Sequence, residues 1–456
     1  MSILTAMFSN KVYCYEDAFG AVDCTSSPMR EAIDEWFRLF YMDKPTDTED
    51  PCQRIPYTVV NKIVKTMFGE YTVLGTNDFS QSLLHSLDAV KKPAVQTALI
   101  GGECFLKPVP MGDRFFFSVI PRNHILIFGK DVEGNPTDIG ISECAFENGA
   151  YYTLLERRTI GPDGLLTIHN NLYRSEMKGS LGQWVPLTSL RRYQQLTELY
   201  TFPEPVGLGL IRIKTPLANC VDGSSDGVSV YGAAVGLIHN INRNEFQLNG
   251  EFERGESRII VSSDMLGQDA SGHRKLKDHV FVGLDDNPEE VGITPFSPAL
   301  REASFLARKT EYLRNVENVI GMKRGLLSDV EAAEKTATEI TSSAGDYNLT
   351  IIEFQEMWEQ AVKSAAVLCG KLGRLYQIPS AYEIHEDDIS IDWGNGILFD
   401  EDKTWTDYKA MVAAGLLKPE IAVGWRFNMP AETESDLAKI RERYMPVLES
   451  MTDGDT

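Results

Sequence analysis

The sequence predicts an α+β protein, and three observations predict it. Between about Ala94 and Pro216, short apolar or alternating runs are punctuated by turn signals, the pattern of a β meander. Segments with apolar residues at helical spacing stand on both sides of that block. No strand–helix–strand rhythm links them, so a parallel nucleotide-binding sheet is not expected.

The elements follow in order. Met29 to Met42 (MREAIDEWFRLFYM) places Ile33, Trp36, Phe37 and Phe40 on one helical face. After a polar, proline-containing break, Tyr57 to Leu74 reads as a second amphipathic helix and Phe79 to Val90 as a third. The meander's runs include RFFFSVI, HILIFG, YYTLLERR, LLTIHNNLYR and LIRIK. Its turns are marked by Gly134-Asn135-Pro136, Gly161-Pro162-Asp163-Gly164 and Gly179 to Gly182.

Beyond Gly223-Ser224-Ser225-Asp226-Gly227 the pattern turns helical, with Val230, Ala234, Leu237, Ile241 and Leu248 in register. Glu251 to Asp286 then holds two strand-like runs, SRIIVSS and HVFVGL, around a polar loop. Ser297-Pro298 reads as an N-cap with proline in the first turn of a helix ending near Ile320, stopped by Gly321-Met322-Lys323-Arg324-Gly325.

The capping box Ser328-Asp329-Val330-Glu331 announces the longest element. From Val330 to Leu375 apolar positions recur in strictly alternating steps of three and four: Val330, Ala333, Ala337, Ile340, Ala344, Tyr347, Ile351 and on to Leu375. A loop would not hold that register, so one helix of roughly 70 Å is expected. Its stretch EKTATEITSSAGDYNLTI is rich in poor helix formers, and a bend is expected at residues 342 to 345. One strand (ISIDW) and two helices, near Lys403 to Leu417 and Thr433 to Tyr444, complete the chain before an acidic tail.

Composition narrows the function. With 66 acids against 44 bases the net charge is −22, the opposite of a protein that grips nucleic acid over its whole surface. The seven cysteines (14, 24, 52, 104, 144, 220 and 369) form no C-x-x-C pair and read as reduced thiols. No apolar run reaches membrane-spanning length and the N-terminus has no signal-peptide pattern, so the expectation is a protein made and kept in a cytosol.

No P-loop, dinucleotide fingerprint, G-x-S-x-G or H-E-x-x-H occurs. Asp222 to Gly227 has the look of a calcium loop but lacks the closing acidic ligand, so it reads as a turn. His385-Glu386-Asp387-Asp388 reads as a solvated turn, and Asn348-Leu349-Thr350 as a chance glycosylation match inside a helix. No catalytic residues, metal ligands or cofactor are expected.

Several stretches in this order resemble the portal proteins of tailed bacteriophages, particularly long-tailed phages of Gram-positive hosts. They are REAIDEWFRLFY, RIPYTVVNKIVKTMFGEYTV and ALIGGECFLKPV, then GVSVYGAAVGLIHNINRNEFQLNGEFERGESRIIVS and EKTATEITSSAGDYNLTI, then ISIDWGNGILFDEDKTWTDYKAMVAAGLLKPEIAVGW. The resemblance lies in their colinearity over most of the chain.

It implies a portal fold. Residues 1–224 would be a mixed α/β wing, 225–249 a first stem helix, 250–296 a β-containing clip and 297–320 a second stem helix. Residues 321–329 would be a tunnel loop, 330–376 a long bent wing helix and 377–456 a wing strand and helical crown. The implied function is a structural subunit of a homo-oligomeric ring of about twelve copies. That ring would form the channel for double-stranded DNA at the capsid vertex during packaging, head–tail joining and ejection. Implied partners are the terminase motor, scaffold and major capsid proteins, and head–tail connector proteins, with no membrane. The implied location is the virion, after assembly in the host cytoplasm.

Lys323 and Arg324 are the expected tunnel-loop contacts with DNA; Arg254, Arg258, Lys275 and Lys277 give the clip a basic tint. The rival readings are another virion ring or shell component, such as a capsid or baseplate protein, and a packaging nuclease or ATPase.

Overall fold

The computed structural model describes residues 15–41, 52–254, 258–261, 266–268, 274–276, 293–296, 300–328, 337–394, 401–427, 429–431 and 433–445. They divide into two compact units, Met1–Met67 with Val73–Ser390, and Phe68–Thr72 with Ile391–Thr456.

The larger unit opens with helices α1 (Ser27–Tyr41) and α2 (Ile55–Met67), followed by strand β1 (Thr72–Gly75) and helix α3 (Asp78–Gly101). Of the expected α1 face, Ile33, Trp36 and Phe37 are buried and Phe40 is half-buried. The second helix stops at Met67, short of the predicted Leu74, and the β-branched run after it is strand. The third runs eleven residues past the predicted Val90. Lys91-Lys92-Pro93 reads as a stop because proline removes a helical hydrogen bond. The apolar face nevertheless continues through Ala94, Val95, Ala98 and Leu99, all buried, and that burial holds the helix together. At its start Asn77 accepts from the Ser80 N–H, and the Ser80 hydroxyl accepts from the Asn77 N–H, a reciprocal cap.

The meander is present as antiparallel sheet. Strands β2 (Glu103–Met111) and β3 (Arg114–Pro121) form a hairpin, and β10 (Ile211–Lys214) pairs with the other edge of β2. Between β3 and β10 in the sequence, and in a second sheet, come β4 (Ile125–Lys130), β5 (Pro136–Glu147), β6 (Ala150–Ile160) and β7 (Leu166–Ser175), each paired antiparallel with the next. Strands β8 (Gln183–Val185) and β9 (Leu199–Thr201) pair with opposite ends of β7.

Period-two alternation places Ile125, Ile127, Ile139 and Ile141 in one core with Phe105 and Ile120. Tyr152, Leu154 and Leu172 form another with Leu187, Leu190 and Tyr193.

Helix α4 (Val235–Arg254) starts later than periodicity predicts. Val230 belongs to the preceding segment, where its N–H donates to the Leu99 carbonyl, and a 3-10 turn at Gly232–Ala234 leads into the helix. Strands β11 (Arg258–Val261) and β14 (Ile293–Phe296) pair antiparallel, as do β12 (Leu266–Gln268) and β13 (Arg274–Leu276). The run RIIV is a strand as expected, whereas β12 and β13 fall mostly within the stretch expected as a polar loop, where backbone pairing does not need an apolar pattern; HVFVGL and Ser297-Pro298 lie outside the described residues. Helix α5 (Glu302–Ile320) follows.

The long helix is α6 (Ala337–Leu375), with a helical backbone through residues 342–345. The stripe's first two positions, Val330 and Ala333, lie outside the described residues. From Ile351 the stripe is the core face: Ile351, Phe354, Trp358, Ala361, Ala365, Leu368 and Leu372 are buried. This face packs against α2, α3 and β10. Strand β15 (Ile389–Asp392) follows a 3-10 turn at Glu386–Asp388.

The smaller unit contains α7 (Glu401–Ala413), α8 (Pro419–Arg426) and α9 (Glu434–Tyr444). Helix α8 is absent from the sequence reading because eight residues give too little periodicity. Leu437 and Ile440 of α9 and Ala422 of α8 are buried, and an Arg441–Glu420 ion pair at 2.6 Å joins the two helices. Tyr408 meets Trp425 edge-on, and Phe427 stacks on Tyr444.

Candidate DNA-channel loop

Helices α4 and α5 run antiparallel. The Asn244 amide donates to the Phe305 carbonyl, Lys309 pairs with Glu245 at 2.8 Å, and Arg301 pairs with Glu251 at 2.8 Å. Residues 302–315 of α5 are exposed or half-buried, and burial begins only near its end, at Val316, Glu317 and Ile320. The loop that carries the two predicted cations leaves from that end.

Its first residue, Gly321, has φ 75°, a left-handed conformation that costs side-chain-bearing residues energy. The Gly321 N–H donates to the Asn318 carbonyl and the Met322 N–H to the Glu317 carbonyl. That pair of bonds is a Schellman ending, which satisfies helix carbonyls otherwise left without donors. Lys323 to Leu326 then form a β-turn, closed by the Leu326 N–H donating to the Lys323 carbonyl at 3.2 Å. Gly325, third in the turn, has φ 88°, as a type II turn requires. Arg324 sits at the second position and is exposed, while Lys323 is half-buried. Neither side chain has an acidic partner within ion-pair distance among the described residues.

The organising residue is one that sequence reasoning missed. Glu317 is fully buried, yet its carboxylate accepts four hydrogen bonds from the loop. The donors are the N–H groups of Gly325 (3.1 Å), Leu327 and Ser328 (3.0 Å), and the Ser328 hydroxyl (2.7 Å). A buried carboxylate is tolerated only when its lone pairs are satisfied in this way. Lys62 of α2 donates a further bond to the Leu326 carbonyl. In the sequence Glu317 looks like one more polar position in YLRNVENVI; only the returning chain gives it its donors.

Arg254 is the last residue of α4. Arg258 stands opposite Phe296 in one ladder, and Lys275 opposite Gly267 in the other. Lys277 lies outside the described residues.

Elsewhere, charges are paired inside the body. Glu103, fully buried, lies between Arg122 at 2.8 Å and Arg212 at 2.6 Å. Glu156 is held by Lys107 and Arg158, each at 2.5 Å. Burial works to raise the Glu156 pKa, but the two cations outweigh it and pull it down to about 2.

In the segment with the look of a calcium loop, Asp226 pairs with Lys130 at 2.8 Å and Asp222 accepts from the Asn219 amide. Among the described residues no cluster of His, Cys, Asp and Glu could hold a metal ion. The Asp388 carboxylate accepts from the His385 N–H and the Thr76 hydroxyl. No helix among the described residues is long and apolar enough to cross a membrane.

Fold and loop together make an α+β protein: a β-rich body with an antiparallel helix pair, a strand-bearing insert between its helices, and a long helix after it. The chain belongs to the phage portal protein family, since the family model "Phage portal protein, SPP1 Gp6-like" matches residues 55–443. No curated protein gives a significant match. Among solved structures, the chain is similar to "Neck of native GTA particle computed with C12 symmetry", with TM-score 0.48 and 11% identity over 92% of this chain and 99% of that one. A second is "Neck of empty GTA particle computed with C6 symmetry", with TM-score 0.46 and 11% identity over 85% of this chain and 90% of that one.

Proposed function

We propose that this portal subunit closes into a ring of about twelve copies around a DNA channel at the capsid vertex. The observation that carries the reading is the family match across residues 55–443. The order of elements supports it: α4, a strand-bearing insert, α5, a short glycine-bounded loop and α6. In this reading 225–249 and 297–320 are the stem and 250–296 the clip. Residues 321–329 are the tunnel loop, 330–376 the long wing helix and 377–456 the wing strand and crown, with the wing at 1–224.

The chemistry required of such a conduit is weak, repeated contact with phosphate. A strongly basic wall would hold DNA by counterion release, whereas an acidic chain with a few placed cations lets it slide. Lys323 and Arg324 are those cations. The clip's Arg254, Arg258, Lys275 and Lys277 serve DNA or the neighbouring subunit. Partners follow from the role: a separate terminase motor hydrolyses ATP, scaffold and major capsid proteins build the shell, and connector proteins join the tail. The subunit assembles in the host cytoplasm and resides in the virion.

Replacing both Lys323 and Arg324 by alanine tests the channel assignment. Rings should form as in the parent while DNA packaged per capsid, or its retention, changes several-fold. Rings that package and retain DNA as the parent does would remove the assignment.

A further inference from the structure

We infer that Glu317 is a positioning residue, which holds the Lys323–Arg324 turn in a fixed presentation rather than leaving it a free tether. This rests on the channel reading of that turn, but the latch itself is a property of the single chain.

Both ends of the turn are fastened to the same residue. At the near end the Met322 N–H is bound to the Glu317 backbone carbonyl at 2.8 Å, with Met322 itself buried. At the far end the Glu317 carboxylate collects the N–H groups of Gly325, Leu327 and Ser328, plus the Ser328 hydroxyl. Only Lys323 and Arg324 lie between these anchors, so the two cations ride on a two-residue arch.

Charge-assisted bonds to a buried carboxylate are the strong kind, and losing the acceptor would leave the buried Ser328 donors and the half-buried Gly325 and Leu327 N–H groups without it. The bonds converge on one acceptor group, so removing that carboxylate removes all of them at once. Lys62 adds a tie from α2 to the Leu326 carbonyl, so release requires parting from that helix as well.

Hydrogen exchange of the purified full-length protein, read peptide by peptide, tests the latch without DNA. In Glu317→Ala, exchange across residues 322–328 should rise at least about tenfold, with peptides of α3 and β6 unchanged. Glu317→Gln, which keeps an acceptor oxygen, should restore part of the protection. Unchanged exchange across 322–328 in a folded Glu317→Ala protein would overturn the proposal.

Where Glu317→Ala does not fold, Ser328→Ala decides. It removes one donor and should speed exchange at 325–328 a few-fold; no change there would also overturn the proposal. Packaging separates the latch from the channel reading. A released loop with altered packaging supports both. A released loop with parental packaging keeps the latch as a structural device but overturns its role in positioning cations for DNA.

Discussion

At the scale of residues, small features decide whether the loop can exist at all. Gly321 combines a left-handed φ with close quarters, since a Cβ there would lie 2.9 Å from the Thr350 hydroxyl oxygen of α6. Gly321→Ala should therefore cost about 1–2 kcal/mol and lower the denaturant midpoint without changing the slope. Arg324, exposed at its turn, should behave oppositely: Arg324→Ala should shift stability by less than about 0.5 kcal/mol in the same titration.

The cation pair was legible in the sequence because glycines flank it on both sides, and glycine is what a left-handed helix ending and a type II turn demand. Glu317 was not legible. Its role depends on three backbone N–H groups that return eight to eleven residues later, and backbone donors carry no signature in side-chain pattern.

At the scale of elements, α6 and the six-stranded sheet set the stability of the larger unit. Trp358, fully buried on the core stripe of α6, should cost about 3–5 kcal/mol when replaced by alanine, measured by equilibrium unfolding. The Lys107–Glu156–Arg158 cluster makes the sheet sensitive to acid. Because the folded Glu156 pKa is pulled below its unfolded value to about 2, its contribution is complete above about pH 4.5 and is lost as pH falls toward 2. That contribution is on the order of 3 kcal/mol. Glu156→Gln should flatten the stability profile over this window while leaving much of the profile at higher pH in parallel with the parent.

Element types were the most readable feature of the sequence, boundaries the least. The long stripe keeps one register, so the helix was evident despite its Thr, Ser and Gly residues, which cost less than the buried face returns. The hairpins were evident from alternation and glycine turns. The misplaced ends have particular causes. Pro93 reads as a stop but sits in a helix with a continuing apolar face. Val230 matches helical spacing while being pinned to Leu99 by a backbone bond. Helix α8 is too short to show a period.

At the scale of the whole molecule, the portal assignment was visible only as an order of parts. No single motif carries it, because a structural conduit has no nucleophile, metal or phosphate loop whose chemistry forces a fixed spacing. What forces the order is topology: a strand-bearing insert between two antiparallel helices, then a short loop and one long helix. The acidic balance fits that role as well, since DNA must pass through such a conduit without being held.

The central claim is the closed ring, and native mass spectrometry with negative-stain imaging of the purified full-length protein tests it most directly. Particles of about a dozen copies with a central hole are expected. A compact dimer without a hole, accompanied by metal-dependent cleavage of DNA, would contradict it.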